Sequence, residues 1–459
     1  MYSTVNFTEI PLAAARWFLL ANIVLAAWLY GGTRDWTREW VMWLLLANTG
    51  LFLIGSACRW ALPKVPVAAS LAVVFLLTLG GFMAWNAQRQ FLASVGIFVD
   101  RNQPMPGCPG YWDVAMVLPS VWLAVGLLGA FCIACDMASS PEWRRRLWVT
   151  LAGTGLSIIA LGLAQRFTGA QDIFWGLETF RGPTFFAVYR YHANAGAFIN
   201  LVLPLQVGLA LRALRTDGAE AGRVLWCLGA FVTAAAGFVN VSKAANVISL
   251  FLILAMVFFF GTNRFRSGGG RIWVVGVLSI LVVVVFAVSF GLEKTFDRWE
   301  NLFGVWHSGA TDSRLQTYEI IVKGPLPEAG WWGFGPGTFE KVFDFYREAL
   351  GSQLIGRWDK AHSDVLQTPM EWGWAGALAW ALLLGGGFFK ALKAAQGRSE
   401  EYLLAASAAL ALAGVMLHAL MDFPLQICSL QLFTLVIAGL SWGLPKPTHR
   451  HLHRHRFNA

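Results

Sequence analysis

The sequence predicts an all-α, polytopic membrane bundle of about 12 transmembrane helices with one large loop on its outer side. Hydrophobic residues make up 57% of the 459-residue chain and charged residues only 13%. Apolar runs of about 20 residues, the length that crosses ~30 Å of hydrocarbon, recur along the whole chain. Backbone groups in lipid need hydrogen-bond partners within their own segment, so we expect each run to be a helix.

The twelve runs are separated by short polar segments, apart from one long interval after the ninth. They cover residues 11–30, 39–57, 66–86, 114–136, 147–166, 193–211, 224–241, 244–261, 272–291, 366–389, 402–420 and 426–443. We therefore divide the chain into spans one to nine, a polar loop, spans ten to twelve, and a basic His- and Arg-rich tail. These four parts are residues 1–291, 292–364, 365–445 and 446–459.

The distribution of Lys and Arg predicts how the bundle is oriented. With both termini inside, 18 of the 35 Lys and Arg residues fall in the inner loops and the tail, against seven in the short outer segments. Short cytoplasmic loops carry such an excess of positive charge. We expect a multi-pass protein of a bacterial-type membrane, with the polar loop on the outer side and the tail on the inner side.

Charge and cysteine usage exclude several classes of function. The net charge of +9 is mainly this inner-side excess, which favours anionic membrane lipid as a partner and not nucleic acid. Cys132 and Cys135 form C-x-x-C inside a predicted span without a second pair, which favours packing over zinc. We expect no metal and no cofactor. Arg16 and Arg166 are the only charged residues well within the predicted spans. Ion-coupled carriers usually place ionisable groups near the middle of the membrane, so this scarcity disfavours a carrier.

The outer polar loop suggests transfer chemistry on a lipid-attached substrate. The chain has neither a phosphate-binding G-x-x-x-x-G-K-[ST] loop nor a D-x-D pair for a nucleotide sugar. A transfer outside such a membrane needs a donor activated before it crossed, and a lipid diphosphate is the obvious type. The leaving diphosphate requires fixed cations, and the incoming hydroxyl requires a base.

Four outer-side residues provide these groups. Arg314 lies in TDSRLQTYEII early in the loop, Lys243 in NVSKAANVIS between the seventh and eighth spans, and Arg190 in YRYHANAG before the sixth. His362 stands at the mouth of the tenth span in AHSDVLQ. We identify His362 as the candidate catalytic base and the three cations as candidate substrate-binding residues. An interfacial Arg can also simply reach lipid phosphate.

Other residues in these segments have structural explanations. His418 and Asp422 stand four residues apart near the end of the eleventh span, and we expect a structural hydrogen bond between them. Ser363 or Asp364 is expected to cap the helix that follows His362. The segment GFGPGTF is expected to form a turn whose glycines permit a close backbone approach.

Together these segments resemble the superfamily of O-antigen ligases and O-antigen polymerases, which are polytopic membrane glycosyltransferases. The resemblance rests on GPLPEAGWWGFGPGTFEKVFDFY, AHSDVLQTPMEWGWAGAL and HALMDFPLQI, and on YHANAGAFINLVLPL upstream, within about residues 180–445. The positions that match the family pattern are Arg314, Gly333 to Gly337, His362, Leu366, Gln367, Glu371, Gly373 and Gly376.

The resemblance implies a GT-C-like fold in a bacterial inner membrane, with the active site facing the periplasm. It also implies metal-independent transfer of a glycan from undecaprenyl diphosphate to an acceptor hydroxyl. His362 would then be the base and Arg314 would bind the diphosphate. The family's usual S-R-G-type turn is Ser242-Lys243-Ala244 here, and Lys keeps the charge but loses the bidentate fork of Arg. The favoured acceptor is a sugar of the lipid A–core. A growing glycan (a polymerase), a protein hydroxyl and, in a different class, a lipid-glycan transporter remain alternatives.

Overall fold

The computed structural model describes residues 9–92, 94–95, 97–176, 185–215, 220–240, 242–262, 313–352, 354, 356–396 and 401–445. Within these ranges, ten helices are long and apolar enough to cross a membrane. They are α1 (Ile10–Trp28), α2 (Asp35–Cys58), α3 (Val67–Trp85), α4 (Val114–Ala138), α5 (Pro141–Phe167), α6 (His192–Ala213), α7 (Glu220–Val239), α8 (Lys243–Thr262), α12 (Asp364–Ala395) and α13 (Tyr402–Ala419).

The remaining elements are short and connect or cover these helices. They are the antiparallel strands β1 (Arg89–Leu92) and β2 (Ile97–Asp100), the helices α9 (Ser313–Lys323), α10 (Pro325–Ala329), α11 (Phe339–Ala349) and α14 (Cys428–Trp442), and 3₁₀ turns at Tyr30–Gly32, Ile173–Trp175 and Pro424–Gln426.

The predicted class is confirmed, since ten of the twelve predicted spans coincide with the ten long apolar helices. The twelfth, residues 426–443, is the 15-residue α14, which is shorter because the 3₁₀ turn Pro424–Gln426 precedes it. The ninth predicted span, residues 272–291, lies outside the described residues. So do the first part of the polar loop, residues 292–312, and the tail.

Small residues let the helices approach closely. A Cβ atom on Gly439 of α14 would lie 2.4 Å from the carbonyl oxygen of Phe131 on α4, and one on Gly155 of α5 would lie 2.1 Å from the Val202 side chain on α6. Helices in lipid gain little from apolar burial against one another, so they associate through such close packing. The close contacts fix the relative positions of α4, α5, α6 and α14.

Several polar side chains inside the bundle are paired across helices. Arg16 of α1 donates to the Asp136 carboxylate of α4 at 2.7 Å, and Ser249 of α8 donates to Asn200 of α6 at 2.5 Å. A polar group without a partner is costly in hydrocarbon. These pairs therefore favour one arrangement of helices over slipped alternatives.

The connections that hold the sequence-predicted site lie at one end of the bundle, where α12 begins. Arg38 near the start of α2 donates to Ser120 near the start of α4, and a Cβ on Gly31 would touch Tyr189, just before α6. Helices α9, α10 and α11 pack around a second, smaller apolar core that includes Ile321 and Phe343. We call the end of the bundle at which α12 begins the site end.

Candidate functional site

His362 lies in the segment that leads into α12, and its backbone has a positive φ of 54°. This left-handed conformation costs a non-glycine residue about 1–2 kcal/mol. The hydroxyl of Tyr318 on α9 donates to the His362 carbonyl oxygen at 2.6 Å, which helps to hold the conformation. The backbone therefore presents this side chain in a fixed direction.

The His362 imidazole faces a carboxylate. Its Nδ1 atom lies 3.3 Å from Oδ1 of Asp422, and its side chain is 21% exposed. The Trp358 and Phe423 rings flank it, with centroids 5.7 and 4.9 Å from the imidazole. Nδ1 is the ring nitrogen next to the carboxylate, which leaves Nε2 as the nitrogen to accept a proton. The imidazole is thus positioned as a base and is not enclosed by apolar side chains.

Asp422 is the centre of the polar cluster. It lies between α13 and the 3₁₀ turn, and its side chain is 2% exposed. The Tyr191 hydroxyl donates to Oδ2 at 3.1 Å, and the Phe423 backbone N–H donates to Oδ1 at 3.1 Å. Burial alone would raise the pKa of the Asp422 carboxyl, but His362 and Arg314 hold that pKa below its ordinary value. The carboxylate is therefore charged at neutral pH.

Arg314 is the second residue of α9, and its guanidinium reaches the same cluster. Nη2 donates to the Tyr191 hydroxyl at 2.8 Å and lies 3.8 Å from the Asp422 carboxylate. Nη1 donates to the Met421 carbonyl oxygen at 3.2 Å. The side chain is 36% exposed, so the protein holds the guanidinium in place while solvent still reaches part of the side chain.

Tyr191 connects this cluster to α6. Its ring stacks on Phe423 with centroids 5.5 Å apart, and its hydroxyl lies between Arg314 and Asp422. Burial, and then the charge of Asp422, raise the pKa of the Tyr191 hydroxyl. It therefore stays protonated and donates to the carboxylate while it accepts from Arg314. The sequence placed Tyr191 in the YRYHANAG segment but gave no reason to single it out.

The expected hydrogen bond between His418 and Asp422 is wrong. His418 is 0% exposed, and neither of its ring nitrogens has a hydrogen-bond partner among the described residues. Helix α13 ends at Ala419, so Asp422 leaves the regular spacing that brings side chains four residues apart together. The carboxylate turns to His362 instead.

The other two predicted cations lie at or just before the starts of neighbouring helices at the site end. Arg190 directly precedes Tyr191, and Lys243 is the first residue of α8. The start of α8 packs tightly on the start of α6, because a Cβ on Gly196 would come 2.2 Å from the Ala245 Cβ. The structure thus brings His362 and Arg314 together around Asp422, with Arg190 and Lys243 on the adjoining helix starts.

The glycine turn is bound to a break in α12. Gly373 has a φ of 67° and a ψ of 173° inside the helix, so the Met370 and Glu371 carbonyl oxygens accept from outside it. The Phe334 N–H donates to the Met370 carbonyl oxygen at 3.0 Å, and the Gly335 N–H donates to the Glu371 carbonyl oxygen at 2.8 Å. The expected close backbone approach is therefore present, and it fixes the loop to the helix that follows His362.

Gln367 and Glu371, two of the positions that match the family pattern, hold the loop together. Both side chains are buried. Gln367 donates to Glu371 at 3.1 Å and accepts from the Ala361 N–H at 3.0 Å. Glu371 also accepts from the N–H of Phe339, the first residue of α11. This chain of hydrogen bonds links the residue before His362 to α12 and α11.

The expected helix cap at Ser363 or Asp364 is also wrong. Ser363 occupies the position before α12, but its side chain makes no capping hydrogen bond. Asp364 instead accepts from the Leu425 N–H at 2.8 Å and from the Gln426 side chain at 3.0 Å. The Asp364 N–H donates to the Asp422 carbonyl oxygen at 3.2 Å. These bonds join the start of α12 to the segment that carries Asp422.

Within the described parts of the chain, no group of three or more His, Cys, Asp or Glu side chains is arranged to hold a metal ion. The positively charged side chains at the site end are the groups that could bind a phosphate of a ligand. Chemically, the arrangement offers a base oriented by a carboxylate, next to a guanidinium that is partly open to solvent.

Comparison with known proteins agrees with the resemblance seen in the sequence. Residues 228–381 match the family model described as O-antigen ligase. This range contains Lys243, Arg314 and His362. A search of curated proteins gives no significant match. The chain is a multi-pass membrane protein. The match covers about a third of it and supports a similarity to the O-antigen ligase superfamily, whose members are membrane glycosyltransferase-like enzymes with a ligase or polymerase type of function.

Proposed function

We propose that this protein transfers a glycan from undecaprenyl diphosphate to an acceptor hydroxyl, on a lipid A–core sugar, at the periplasmic face of a bacterial inner membrane. The observation that carries the proposal is the convergence of the His362 imidazole and the Arg314 guanidinium on the Asp422 carboxylate. The match to the O-antigen ligase family and the excess of inner-side Lys and Arg support the substrate class and the orientation.

His362 acts as the general base in this reaction. The acceptor O–H gives its proton to Nε2 while the acceptor oxygen attacks the anomeric carbon of the glycan. The bond from that carbon to the diphosphate oxygen breaks, and undecaprenyl diphosphate leaves with the electron pair. Asp422 holds the ring through Nδ1 and stabilises the imidazolium that forms, which is the role of the carboxylate in a His–Asp pair. Direct displacement inverts the anomeric centre.

The cations bind the diphosphate and need no metal for this role. Arg314 is anchored by Tyr191 and Met421, and its side chain is 36% exposed, so an anion can approach a guanidinium that the protein already holds in place. Lys243 and Arg190 extend the positive charge along the starts of α8 and α6. Fixed cations at the developing charge of the leaving group stabilise the transition state. Lys243 contributes a positive charge but cannot make the bidentate contact of an Arg, and Arg190 supplies a second guanidinium.

Reconstitution of the purified protein with a lipid-linked glycan tests the proposal. His362→Ala should abolish transfer while donor accumulates on the outer leaflet, and His451→Ala in the basic tail is the matched control and should be fully active. A single glycosylated lipid A–core product is the expected result. A ladder of lengthening glycans identifies a polymerase, and a glycosylated protein identifies a protein glycosyltransferase. Donor that stays on the inner leaflet in the His362 variant identifies a transporter and refutes the proposal.

A further inference from the structure

Five aromatic side chains lie together at the site end, on two connections between helices. They are Trp28 at the end of α1, Tyr30 in the turn that follows, Trp36 at the start of α2, and Phe174 and Trp175 in the 3₁₀ turn after α5. The centroid of the Phe174 ring lies 6.2 Å from that of Trp28 and 5.2 Å from that of Tyr30. The Tyr30 and Trp36 centroids are 6.2 Å apart. We call these five residues the aromatic ledge.

The backbone of the aromatic ledge is strained. Tyr30, Phe174 and Trp175 have positive φ values of 52°, 56° and 55°, a left-handed conformation that bulky residues seldom adopt. Burial does not offset this strain at Trp175, which remains 48% exposed while its indole N–H donates to Thr168 Oγ1 at 2.8 Å. Strained residues concentrate where a protein presents side chains to a ligand. The strain therefore points to a ligand of the exposed rings.

Charged groups stand among these rings. Trp36 is 49% exposed, the Asp35 side chain next to it is also exposed, and the Arg34 guanidinium lies 4.4 Å from the centroid of the Tyr30 ring. Sugars present C–H groups of partial positive charge, which pack on the negative face of an aromatic ring. Guanidinium and carboxylate groups donate to and accept from sugar hydroxyls. The ledge thus offers both kinds of contact that a carbohydrate needs.

The aromatic ledge differs from the tryptophans that anchor a helix in lipid. Trp40 and Trp43 lie farther along α2 and are 59% and 57% exposed, which fits interfacial anchoring. They stand on a single helix, whereas the ledge joins two connections that are far apart in sequence. Anchoring requires neither a left-handed backbone nor rings in contact across separate connections.

The aromatic ledge packs against the segments that lead to the candidate site. A Cβ on Gly31 would lie 2.5 Å from the Tyr189 ring, and one on Gly32 would lie 2.6 Å from the Cys428 Cβ. Tyr189 stands two residues before Tyr191, a separation of at most about 7 Å along the chain. A glycan that extends from the candidate site therefore has the ledge within reach.

We propose that the aromatic ledge is a carbohydrate subsite, on which the rings stack against sugars of the donor glycan beyond the sugar that reacts. The chain is held there while its anomeric carbon reacts at the candidate site, so a long donor binds more tightly than a short one. The assignment to the donor rests on the proposed function. The carbohydrate subsite itself rests only on the rings, the strained backbone and the neighbouring charges.

Initial-rate transfer in reconstituted vesicles tests the subsite with two donors. The short donor is undecaprenyl diphosphate with a single glycan repeat unit, and the long donor carries several. Trp175→Leu and Trp36→Leu should each raise the KM of the long donor about three- to tenfold more than that of the short donor, through loss of an aromatic contact. Trp175→Tyr keeps a ring and should bind the long donor nearly like the wild type. Trp40→Leu is the matched control, because it makes the same change one turn farther along α2, and it should leave the ratio of the two KM values unchanged.

Native mass spectrometry of the full-length protein measures the subsite without requiring transfer. The probe is the free glycan of several repeat units, released from its lipid by mild acid. We expect Trp175→Leu to weaken its binding and Trp40→Leu to retain it, and thermal unfolding should show that every variant is folded. A wild-type protein that transfers neither donor but binds the free glycan through Trp175 sinks the proposed function and leaves the subsite standing.

Two outcomes overturn the inference. If Trp175→Leu and Trp36→Leu change the KM of the short and the long donor by the same factor, the rings act on the membrane or on the donor lipid and not on the glycan. If the folded Trp175→Leu variant binds the free glycan as the wild type does, or the wild type binds none, the aromatic ledge is not a carbohydrate subsite. Either result leaves transfer by the wild type, and with it the proposed function, intact.

Discussion

Replacement of Asp422 by Asn isolates the role of the carboxylate at the site. The side chain keeps its shape, but the charge opposite the imidazole is lost. Two unit charges 3.3 Å apart attract by about 5 kcal/mol at an effective dielectric constant of about 20. Solvent reaches the 21% exposed imidazole, and Arg314 lies 3.8 Å from the same carboxylate. We therefore expect about half of that energy to appear in the transition state.

A loss of about 2.5 kcal/mol corresponds to a decrease in kcat of about 50- to 100-fold. The Arg314 guanidinium loses a competing anion, so the KM for the lipid-linked donor should stay the same or fall. This division between kcat and KM separates a role at the base from a role in donor binding. The assay is initial-rate transfer in reconstituted vesicles with the donor concentration varied.

Asp359→Asn is the matched control, because it makes the same chemical change at an exposed position three residues before His362. It should leave both kinetic constants unchanged. The reasoning is refuted if Asp422→Asn lowers kcat less than about threefold while the protein stays folded and His362→Ala remains inactive. In that case the imidazole would act without its carboxylate.

Three further predictions concern charge, backbone and pH. Lys243→Arg should retain transfer, whereas Lys243→Ala should raise the donor KM about tenfold or more by loss of a charge-assisted contact; full activity of the alanine variant would refute the cation assignment. Gly333→Ala should lower the thermal midpoint more than Gly351→Ala, since both have positive φ but the new Cβ would lie 2.4 Å from the Glu371 carbonyl oxygen only at position 333; equal midpoints would contradict this. The lowered pKa of Asp422 contributes stability that is fully present above the ordinary carboxyl pKa of about 4 and is lost as the pH falls through the folded-state value. The stability difference between wild type and Asp422→Asn should therefore shrink below about pH 4 in thermal unfolding.

Much of the fold could be predicted because each helix must satisfy its own backbone in lipid. An apolar run of sufficient length is then a sufficient signal, and α3 and α13 coincide with their runs within one residue. The break at Gly373 could not be predicted in this way. It depends on the glycine turn that donates to the Met370 and Glu371 carbonyl oxygens, which is a contact between separate segments.

Local sequence patterns predicted only part of the candidate site. His362 and Arg314 stand in segments with recognisable patterns, and the structure brings them together. The four-residue spacing predicted that Asp422 pairs with His418. Such spacing is a guide only while a helix continues, and α13 ends at Ala419. The true partner of Asp422 is 60 residues away, across the packing of α12 against the turn between α13 and α14. Tyr191 is held there by stacking on Phe423, which no local pattern indicates.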